Sequence, residues 1–143
     1  MNLKRNEPCP ECGRYENRAV TADAIIISDG KVLLIKRGTE PFKGFWATPG
    51  GHIDWDETIE EAIKREVKEE TNLEVRKLTF LRIDSSPQRH PKQAINAVYL
   101  AETKGEAKAG DDATEIKWWP VKELPDPMAF DHKQNIKDAL NYL

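Results

Sequence analysis

Three glutamates crowd into five consecutive positions near the middle of the chain. Glu66, Glu69 and Glu70 belong to the segment GHIDWDETIEEAIKREVKEETNL, which runs from residue 51 to residue 73. If this segment is helical, spacings of three and four residues place the three carboxylates on one face. Two like unit charges 4 Å apart repel by about 4 kcal/mol at an effective dielectric constant of about 20. The spacing therefore suits a site that a cation stabilises.

A divalent cation reverses the sign of this repulsion. Mg²⁺ binds hard oxygen ligands and usually keeps waters and substrate phosphates in its coordination shell. A carboxylate triad beside a glycine turn is thus suited to a phosphate-bearing substrate. The same residues also fit a plain solvated helix face, on which Lys64 and Lys68 neutralise part of the charge. Residue spacing alone leaves both interpretations open.

The segment resembles the Nudix box, the sequence motif of a superfamily of hydrolases. That motif reads G, five residues, E, seven residues, R-E-U-x-E-E-x-G-U, where U is a bulky aliphatic residue. Gly51, Glu57 and the run REVKEETNL, from Arg65 to Leu73, match every position except the second glycine, which is Asn72 here. Asparagine tolerates the left-handed backbone conformation, so we expect this departure to do little damage.

The resemblance implies a metal site and names its ligands. Glu66, Glu69 and Glu70 would bind the catalytic divalent ions, Mg²⁺ or Mn²⁺, and the carbonyl of Gly51 would add a ligand at the turn. Three carboxylates can bridge more than one ion, so two or three ions are compatible with this ligand set.

The resemblance also implies roles for the remaining residues of the motif. Glu57 would lie at the edge of the metal site and anchor Arg65, which would hold a metal-binding glutamate in place. A simple surface charge is the alternative for Arg65, since surface ion pairs are common and weak.

Nudix hydrolases cleave the pyrophosphate of a nucleoside diphosphate linked to another group, and the reaction needs a base or a group that orients water. Glu69 is the candidate within the motif. The later segment GDDATE offers Asp111, Asp112 and Glu115. We favour Glu115 in that segment, with an ordinary solvated loop acid as the alternative.

The substrate must be selected by residues outside the motif. The stretch SSPQRHP, residues 85 to 91, resembles the specificity loop of ADP-ribose pyrophosphatases, and AFDHKQNIKDAL resembles their C-terminal helix. Pro87 and Arg89 are therefore candidate substrate-binding residues, since an arginine fork matches phosphate geometry. The alternative is a turn proline and a solvated arginine. His90 stands where an acidic residue is common in that group.

Aromatic side chains could stack on a nucleotide base, although most of them lie in the core of a domain this size. Trp46 is our candidate among Phe42, Phe45, Trp46 and Trp118. The leading prediction is hydrolysis of ADP-ribose to AMP and ribose 5-phosphate. A nucleoside triphosphatase or an NADH-type dinucleotide hydrolase is the enzymatic alternative. A nucleotide sensor without turnover is a third, but such domains usually lose motif glutamates that this chain keeps.

The motif must be carried by a loop, a helix and the strands around it. Thr58 and Glu61 predict a capping box at the start of the helix, and Asn72 predicts its end near Thr71. A hairpin signal, Asp29-Gly30, lies between two strand-like segments. The remaining predicted elements are strands at 73–84, 94–102 and 116–121 and a C-terminal helix within 129–143.

This alternation favours an α+β domain, and the resemblance specifies a Nudix-type α/β/α sandwich with a mixed β-sheet and a catalytic loop-helix-loop. We expect the Nudix hydrolase domain to cover residues 18–143. Residues 1–17 would form an N-terminal tail that carries Cys9 and Cys12 as a CxxC pair. Four ligands complete a structural zinc site, and these are the only two cysteines. An exposed, reduced thiol pair is the main interpretation, and zinc shared between subunits is the alternative.

Composition restricts the partners. The chain has 143 residues, 33% of them charged, and a formal net charge of -3, which argues against a nucleic-acid-binding surface. Its apolar runs are too short to cross a bilayer. The basic start has no apolar stretch behind it, so we expect a cytoplasmic location. The expected partner is a small-molecule nucleotide, and the resemblance implies a possible homodimer.

Overall fold

Seven strands and two α-helices form the fold in the computed structural model, which describes residues 5–110 and 113–143. In chain order they are β1 (Val20–Ser28), β2 (Lys31–Arg37), β3 (Trp46–Ala47), β4 (Gly50–His52), α1 (Ile59–Thr71), β5 (Glu74–Asp84), β6 (Ile95–Lys104), β7 (Ala113–Pro120) and α2 (His132–Ala139). Single 3₁₀ turns lie at Pro87–Arg89 and Leu140–Tyr142.

Strand β1 is the centre of a mixed sheet. It runs parallel to β6 and antiparallel to β2 and β4. Strand β5 pairs with β6, and β7 pairs with β2, both antiparallel. In the β1–β4 register Ala22 faces Gly51 and Asp23 faces Gly50. The glycine turn of the motif is therefore fixed against the middle of the sheet.

The two faces of β1 carry two cores because successive side chains of a strand point to opposite sides. Ala24 packs in the same cluster as Ile63 and Val67 of α1. Ile25 packs in the cluster that contains Ile136 of α2. Each large apolar side chain buried in this way contributes about 1.5–3 kcal/mol. The predicted α+β sandwich with a mixed sheet is confirmed.

The local signals at the ends of α1 act as the sequence predicts. Thr58 and Glu61 form a complete capping box. Asn72 adopts the left-handed conformation at φ 66°, and its N–H donates to the carbonyl of Lys68. Asparagine thus fills the position at which the motif has glycine. The helix that carries the glutamates begins and ends where these residues require.

Two elements begin three residues away from their predicted starts. Strand β7 begins at Ala113 rather than at residue 116, because its first residues continue the ladder to β2 as far as Arg37. The polar residues there show no strand pattern by themselves. Helix α2 begins at His132, since Phe130 has φ 51°, a value that an α-helix does not contain.

The CxxC segment is a closed turn rather than a loose tail. The N–H of Cys9 donates to the carbonyl of Arg14 at 2.7 Å, and the N–H of Gly13 donates to the carbonyl of Cys9 at 2.8 Å. Cys12 is exposed, but Cys9 is buried, so the expectation of two exposed thiols is wrong for Cys9. Hydrogen bonds from the backbone of Cys12 and Glu11 lower the pKa of the Cys9 thiol.

None of the helices in the described residues is long and apolar enough to span a membrane.

Candidate active site

Arg65 is the hub of the acidic face of α1. Its guanidinium donates two hydrogen bonds to Glu57, at 3.1 and 2.8 Å. A third nitrogen lies 2.8 Å from Glu66 and 3.3 Å from Glu69, and the carbonyl of His52 accepts at 3.2 Å. The bonds to Glu57 are the main cause of a raised pKa of Arg65, and Arg65 in turn lowers the pKa of Glu57. A fixed cation therefore joins the start of the motif to its glutamates.

Glu66 lies against the glycine turn. A Cβ added at Gly51 would stand 2.6 Å from the Oε1 atom of Glu66, closer than non-bonded atoms approach. Any other residue at position 51 would therefore have to displace the Glu66 carboxylate from strand β4. Burial raises the pKa of Glu66, although Arg65 opposes the shift.

Glu70 is the most deeply buried of the three carboxylates, with 6% exposure. Its Oε1 atom accepts the backbone N–H of Gly50 at 2.9 Å. Burial raises the pKa of Glu70 to about 9; the Gly50 N–H opposes this shift, and the charges of Glu66 and Asp23 add to it. The ionised form of Glu70 is thus poorly compensated by the protein. A nearby cation would correct that imbalance.

These donors fit a hard divalent ion. Within residues 5–110 and 113–143, no three acidic, histidine or cysteine side chains already enclose a metal position. The reason is that Glu66 and Glu69 are turned to Arg65, while Gly50 holds Glu70. The ligand types are nevertheless those that Mg²⁺ prefers, carboxylates and a backbone carbonyl. Rotation of the exposed Glu69 side chain would complete the set.

A cavity of about 340 Å³ opens beside these glutamates, a size typical of small-molecule sites. We call its part near α1 the acidic wall, defined by Glu66 and Glu70. We call its part around Phe130 the cationic wall, defined by Arg37, Arg89 and His90. All of these residues line the same cavity.

The cationic wall is organised around the ring of Phe130. The His90 ring stacks on it with centroids 4.9 Å apart and planes 9° from parallel. The guanidinium carbons of Arg37 and Arg89 lie 5.2 and 5.6 Å from the ring centroid, within the range of cation–π attraction. Burial, followed by the charge of Arg89, lowers the pKa of His90. The permanent charge of this wall therefore belongs to the two arginines.

Arg89 is held by a fork of two hydrogen bonds to Asp131, at 2.9 and 3.0 Å. It also donates to the carbonyl of Ala94 at 3.1 Å, and its side chain is only 5% exposed. Asp131 stands directly before α2, so the pair ties the turn after β5 to the start of the last helix. Arg89 is thus a buried, preformed cation at the cavity rather than a solvated arginine.

Six of the predicted site residues do not line this cavity. Glu57, Arg65 and Glu69 are joined to its edge through the bond of Arg65 to Glu66. The other three are Pro87, Trp46 and Glu115. Pro87 is exposed and opens the 3₁₀ turn that carries Arg89. Trp46 is 8% exposed and packs edge-on against Trp119 in the core, which does not favour stacking on a base. Glu115 is exposed on β7, paired in register with Lys36, which does not favour its role as the base. Asp111 and Asp112 lie outside the described residues.

Several residues that line the cavity were not predicted from the sequence. Arg37 ends a strand, Phe130 precedes a helix, and Asp23 and His132 stand inside regular elements, so none belongs to a motif. Asp23 alone was detectable, as the one charge within the apolar run of β1. Their positions follow from the sheet register and from the docking of α2.

Comparisons with known proteins agree with this geometry. The family model described as NUDIX domain matches residues 17–139. The chain is 45% identical over 130 residues to an ADP-ribose pyrophosphatase of Methanocaldococcus jannaschii, a match covering 90% of this chain and 76% of that protein.

Two solved structures are similar. One is a MutT NUDIX hydrolase from Burkholderia pseudomallei, with a TM-score of 0.78, 30% identity, and coverage of 85% of this chain and 98% of that one. The other is the NUDIX domain of Shewanella oneidensis NrtR complexed with ADP ribose, with a TM-score of 0.80, 29% identity and 90% coverage of both chains.

Proposed function

Because this chain belongs to the NUDIX domain family, we propose that it is a divalent-metal-dependent hydrolase that converts ADP-ribose to AMP and ribose 5-phosphate. The broader activity, that of a Nudix pyrophosphohydrolase, follows from membership of the family and from the 45% identity to an ADP-ribose pyrophosphatase. The choice of substrate is the part that needs support from the cavity.

One observation carries the choice: the acidic wall and the cationic wall line a single cavity. A dinucleotide-like diphosphate needs cations on two sides of its phosphates, and Arg37 and Arg89 supply positive charge in the same cavity as the carboxylates. The stacked pair of His90 and Phe130 supplies a flat, partly apolar surface for the sugar or base. The planar fork of Arg89 is already bonded to Asp131, so Arg89 would act on the phosphates through its charge rather than as a bidentate donor.

The residues divide the work of the reaction. Glu66, Glu70 and the carbonyl of Gly51 would hold the divalent ion, with Glu69 as a further ligand. When bound, such an ion supplies charge neutralisation at the phosphates and a more acidic water. Arg65 keeps the carboxylates oriented through its bonds to Glu57 and Glu66.

Glu69 is the most exposed of the three glutamates and has a single bond to Arg65, at 3.3 Å. It is therefore free to turn toward the cavity and accept the proton of the attacking water. Arg37 and Arg89 orient the diphosphate against this group, because positioning and charge stabilisation dominate phosphoryl transfer.

A substrate panel tests the proposal. The purified protein is incubated with ADP-ribose, NADH or ATP, each with Mg²⁺ and each with excess chelator, and products are separated by chromatography. We expect kcat/KM to be highest for ADP-ribose, with AMP and ribose 5-phosphate formed in equal amounts only when metal is present. A Glu66→Gln variant controls for contaminating activity.

A higher kcat/KM for NADH or ATP would contradict the choice of ADP-ribose while leaving the family chemistry intact. Tight binding of ADP-ribose without turnover of any compound would instead favour a nucleotide sensor.

A further inference from the structure

The glycine turn, residues 48–51, is held from the side opposite α1 by buried polar residues that the reaction does not use. Asp23 of β1 is 7% exposed, and Thr48 and His132 are each 3% exposed. The Nδ1 atom of His132 lies 3.1 Å from the backbone N of Thr48, and its Nε2 atom lies 2.8 Å from Oδ2 of Asp23. Helix α2 is thereby joined to the turn and to the central strand.

These contacts fix the tautomer of His132. A backbone N–H can only donate, so Nδ1 must present its lone pair to Thr48. The ring proton of the neutral imidazole is then on Nε2, from which it donates to Asp23. Asp23 also accepts a hydrogen bond from the side-chain nitrogen of Asn96 at 2.8 Å. The ring can satisfy both neighbours in one orientation only.

The same residues reach Glu70 through the backbone of the turn. A Cβ added at Gly50 would stand 2.2 Å from Oδ1 of Asp23, so Asp23 lies directly against Gly50. The N–H of Gly50 donates to Glu70, and the carbonyl of Pro49 accepts the N–H of Ala24 at 2.9 Å. Any shift of the turn therefore moves the donor that orients the Glu70 carboxylate.

We propose that Asp23 and His132 form a positioning pair that sets the glycine turn and, through the Gly50 N–H, aims Glu70 at the divalent ion. His132 holds Thr48 and Asp23 holds Gly50, so the start of α2 acts on the metal site from a distance. The inference rests on the proposed role of Glu70 as a metal ligand. Both ring nitrogens of His132 face protein groups, a backbone N–H and Asp23, so we assign the residue a positioning role and not proton transfer to a substrate.

Residues that orient metal ligands typically change metal affinity about 10–100-fold when they are lost. His132 is the better residue to replace, because a change at Asp23 would also alter the charge of the cavity. His132→Ala removes both contacts. His132→Asn retains an acceptor near the position of Nδ1 and should recover part of the effect.

Ile136→Val is the matched control, since Ile136 lies one turn further along the same helix and is fully buried. Its loss of a methylene group lowers stability through packing alone. A merely structural role for His132 would make the His132→Ala and Ile136→Val variants alike in metal binding once both are folded.

The test measures Mn²⁺ affinity by calorimetry on folded protein without nucleotide, together with thermal unfolding. We expect the Kd for Mn²⁺ to rise about tenfold in His132→Ala, less in His132→Asn, and not in Ile136→Val. Nitrogen-15 NMR of the wild type should show a protonated Nε2 and an unprotonated Nδ1 in His132.

An unchanged Mn²⁺ Kd in folded His132→Ala, or a proton on Nδ1 of the wild type, would overturn the inference. A wild type that binds no Mn²⁺ would overturn it together with the metal role of Glu70. If ADP-ribose is not hydrolysed, the proposed role of Asp23 and His132 still stands, because neither the Mn²⁺ affinity nor the NMR measurement involves a substrate.

Discussion

The acidic wall and the cationic wall of the cavity are built on opposite principles. In the acidic wall, Glu70 is buried with a pKa of about 9 and a single backbone donor as compensation. In the cationic wall, the side chain of Arg89 is also largely buried but already has a carboxylate fork from Asp131. The negative charge of Glu70 is not balanced until a cation binds, whereas the positive charge of Arg89 is balanced by Asp131 before any ligand binds.

This difference predicts different consequences of mutation. Removing a carboxylate from the acidic wall should lower kcat but not the free energy of unfolding, because its negative charge is unfavourable in the free protein. Removing Arg89 from the cationic wall should lower both the free energy of unfolding and the affinity for substrate, because it breaks the ion pair with Asp131.

The largest effect is expected for Glu70→Gln. Glutamine keeps an acceptor for the Gly50 N–H but removes the charge that a divalent ion requires. We expect kcat for ADP-ribose to fall by at least about 10³-fold, since bound ions contribute several kcal/mol to such reactions, while the urea midpoint stays equal or rises. Glu60→Gln, on the same helix but bonded to Tyr99, is the control. If kcat falls by less than tenfold, Glu70 is not a ligand of the divalent ion.

Arg89→Ala tests the other wall. It leaves the partly buried Asp131 without its arginine, so we expect the free energy of unfolding to fall by about 1–3 kcal/mol and KM for ADP-ribose to rise. Urea denaturation and steady-state kinetics measure the two effects. In the double variant with Asp131→Ala, much of the stability should return, because no uncompensated charge remains, but KM should stay high. A stable Arg89→Ala protein would mean that the two walls do not differ as described.

The same contrast explains how much the sequence could predict. Both residues of the acidic wall lie on helix α1, within one continuous segment of sequence. Helix periodicity and the caps at Thr58 and Asn72 are therefore enough to place the glutamates. The cationic wall joins the end of β2, the turn after β5 and the residue before α2, so it exists only after the chain has folded. Arg89 was predicted from a local pattern, but Arg37 and Phe130 have no local signal.

Trp46 shows why a residue type alone is a weak guide. An aromatic ring can pack in the core or stack on a ligand, and the residue type does not say which. The position of Trp46 on β3 places its ring beside Trp119 in the core. For Glu115 the pairing of β2 with β7 decides the position, because it sets Glu115 beside Lys36 and outside the cavity. In both cases the deciding contact is with a residue distant in sequence.

A smaller effect should appear in the pH dependence of stability without metal. Between its ordinary pKa of 4.5 and the folded value of about 9, Glu70 holds a proton in the folded state that the unfolded chain has released. Its stabilising contribution is therefore complete below pH 4.5 and is lost as the pH rises toward 9.

Calorimetric unfolding measures this. We expect Tm to fall by at least about 5 °C from pH 5 to pH 9 in chelator, because each pH unit between the two pKa values changes the free energy of unfolding by up to about 1.4 kcal/mol. Mg²⁺ should reduce the fall, because the ion binds the charged form, and Glu70→Gln should nearly abolish it. An equally steep fall in Glu70→Gln would assign the dependence to other groups.

The smallest effect, for Glu115→Gln, decides between the two candidate bases. Glu115 lies on β7 outside the cavity, so its loss should change kcat by less than about twofold, as for a typical surface substitution. Glu69→Gln should lower kcat by about 10²-fold or more, the usual contribution of a general base. Glu69 also borders the metal site, so Mn²⁺ affinity must be measured in parallel to separate the loss of a base from the loss of a ligand. A larger loss of kcat in Glu115→Gln than in Glu69→Gln would show that the strand containing Glu115 reaches the substrate during turnover, and the cavity would then have a third functional wall.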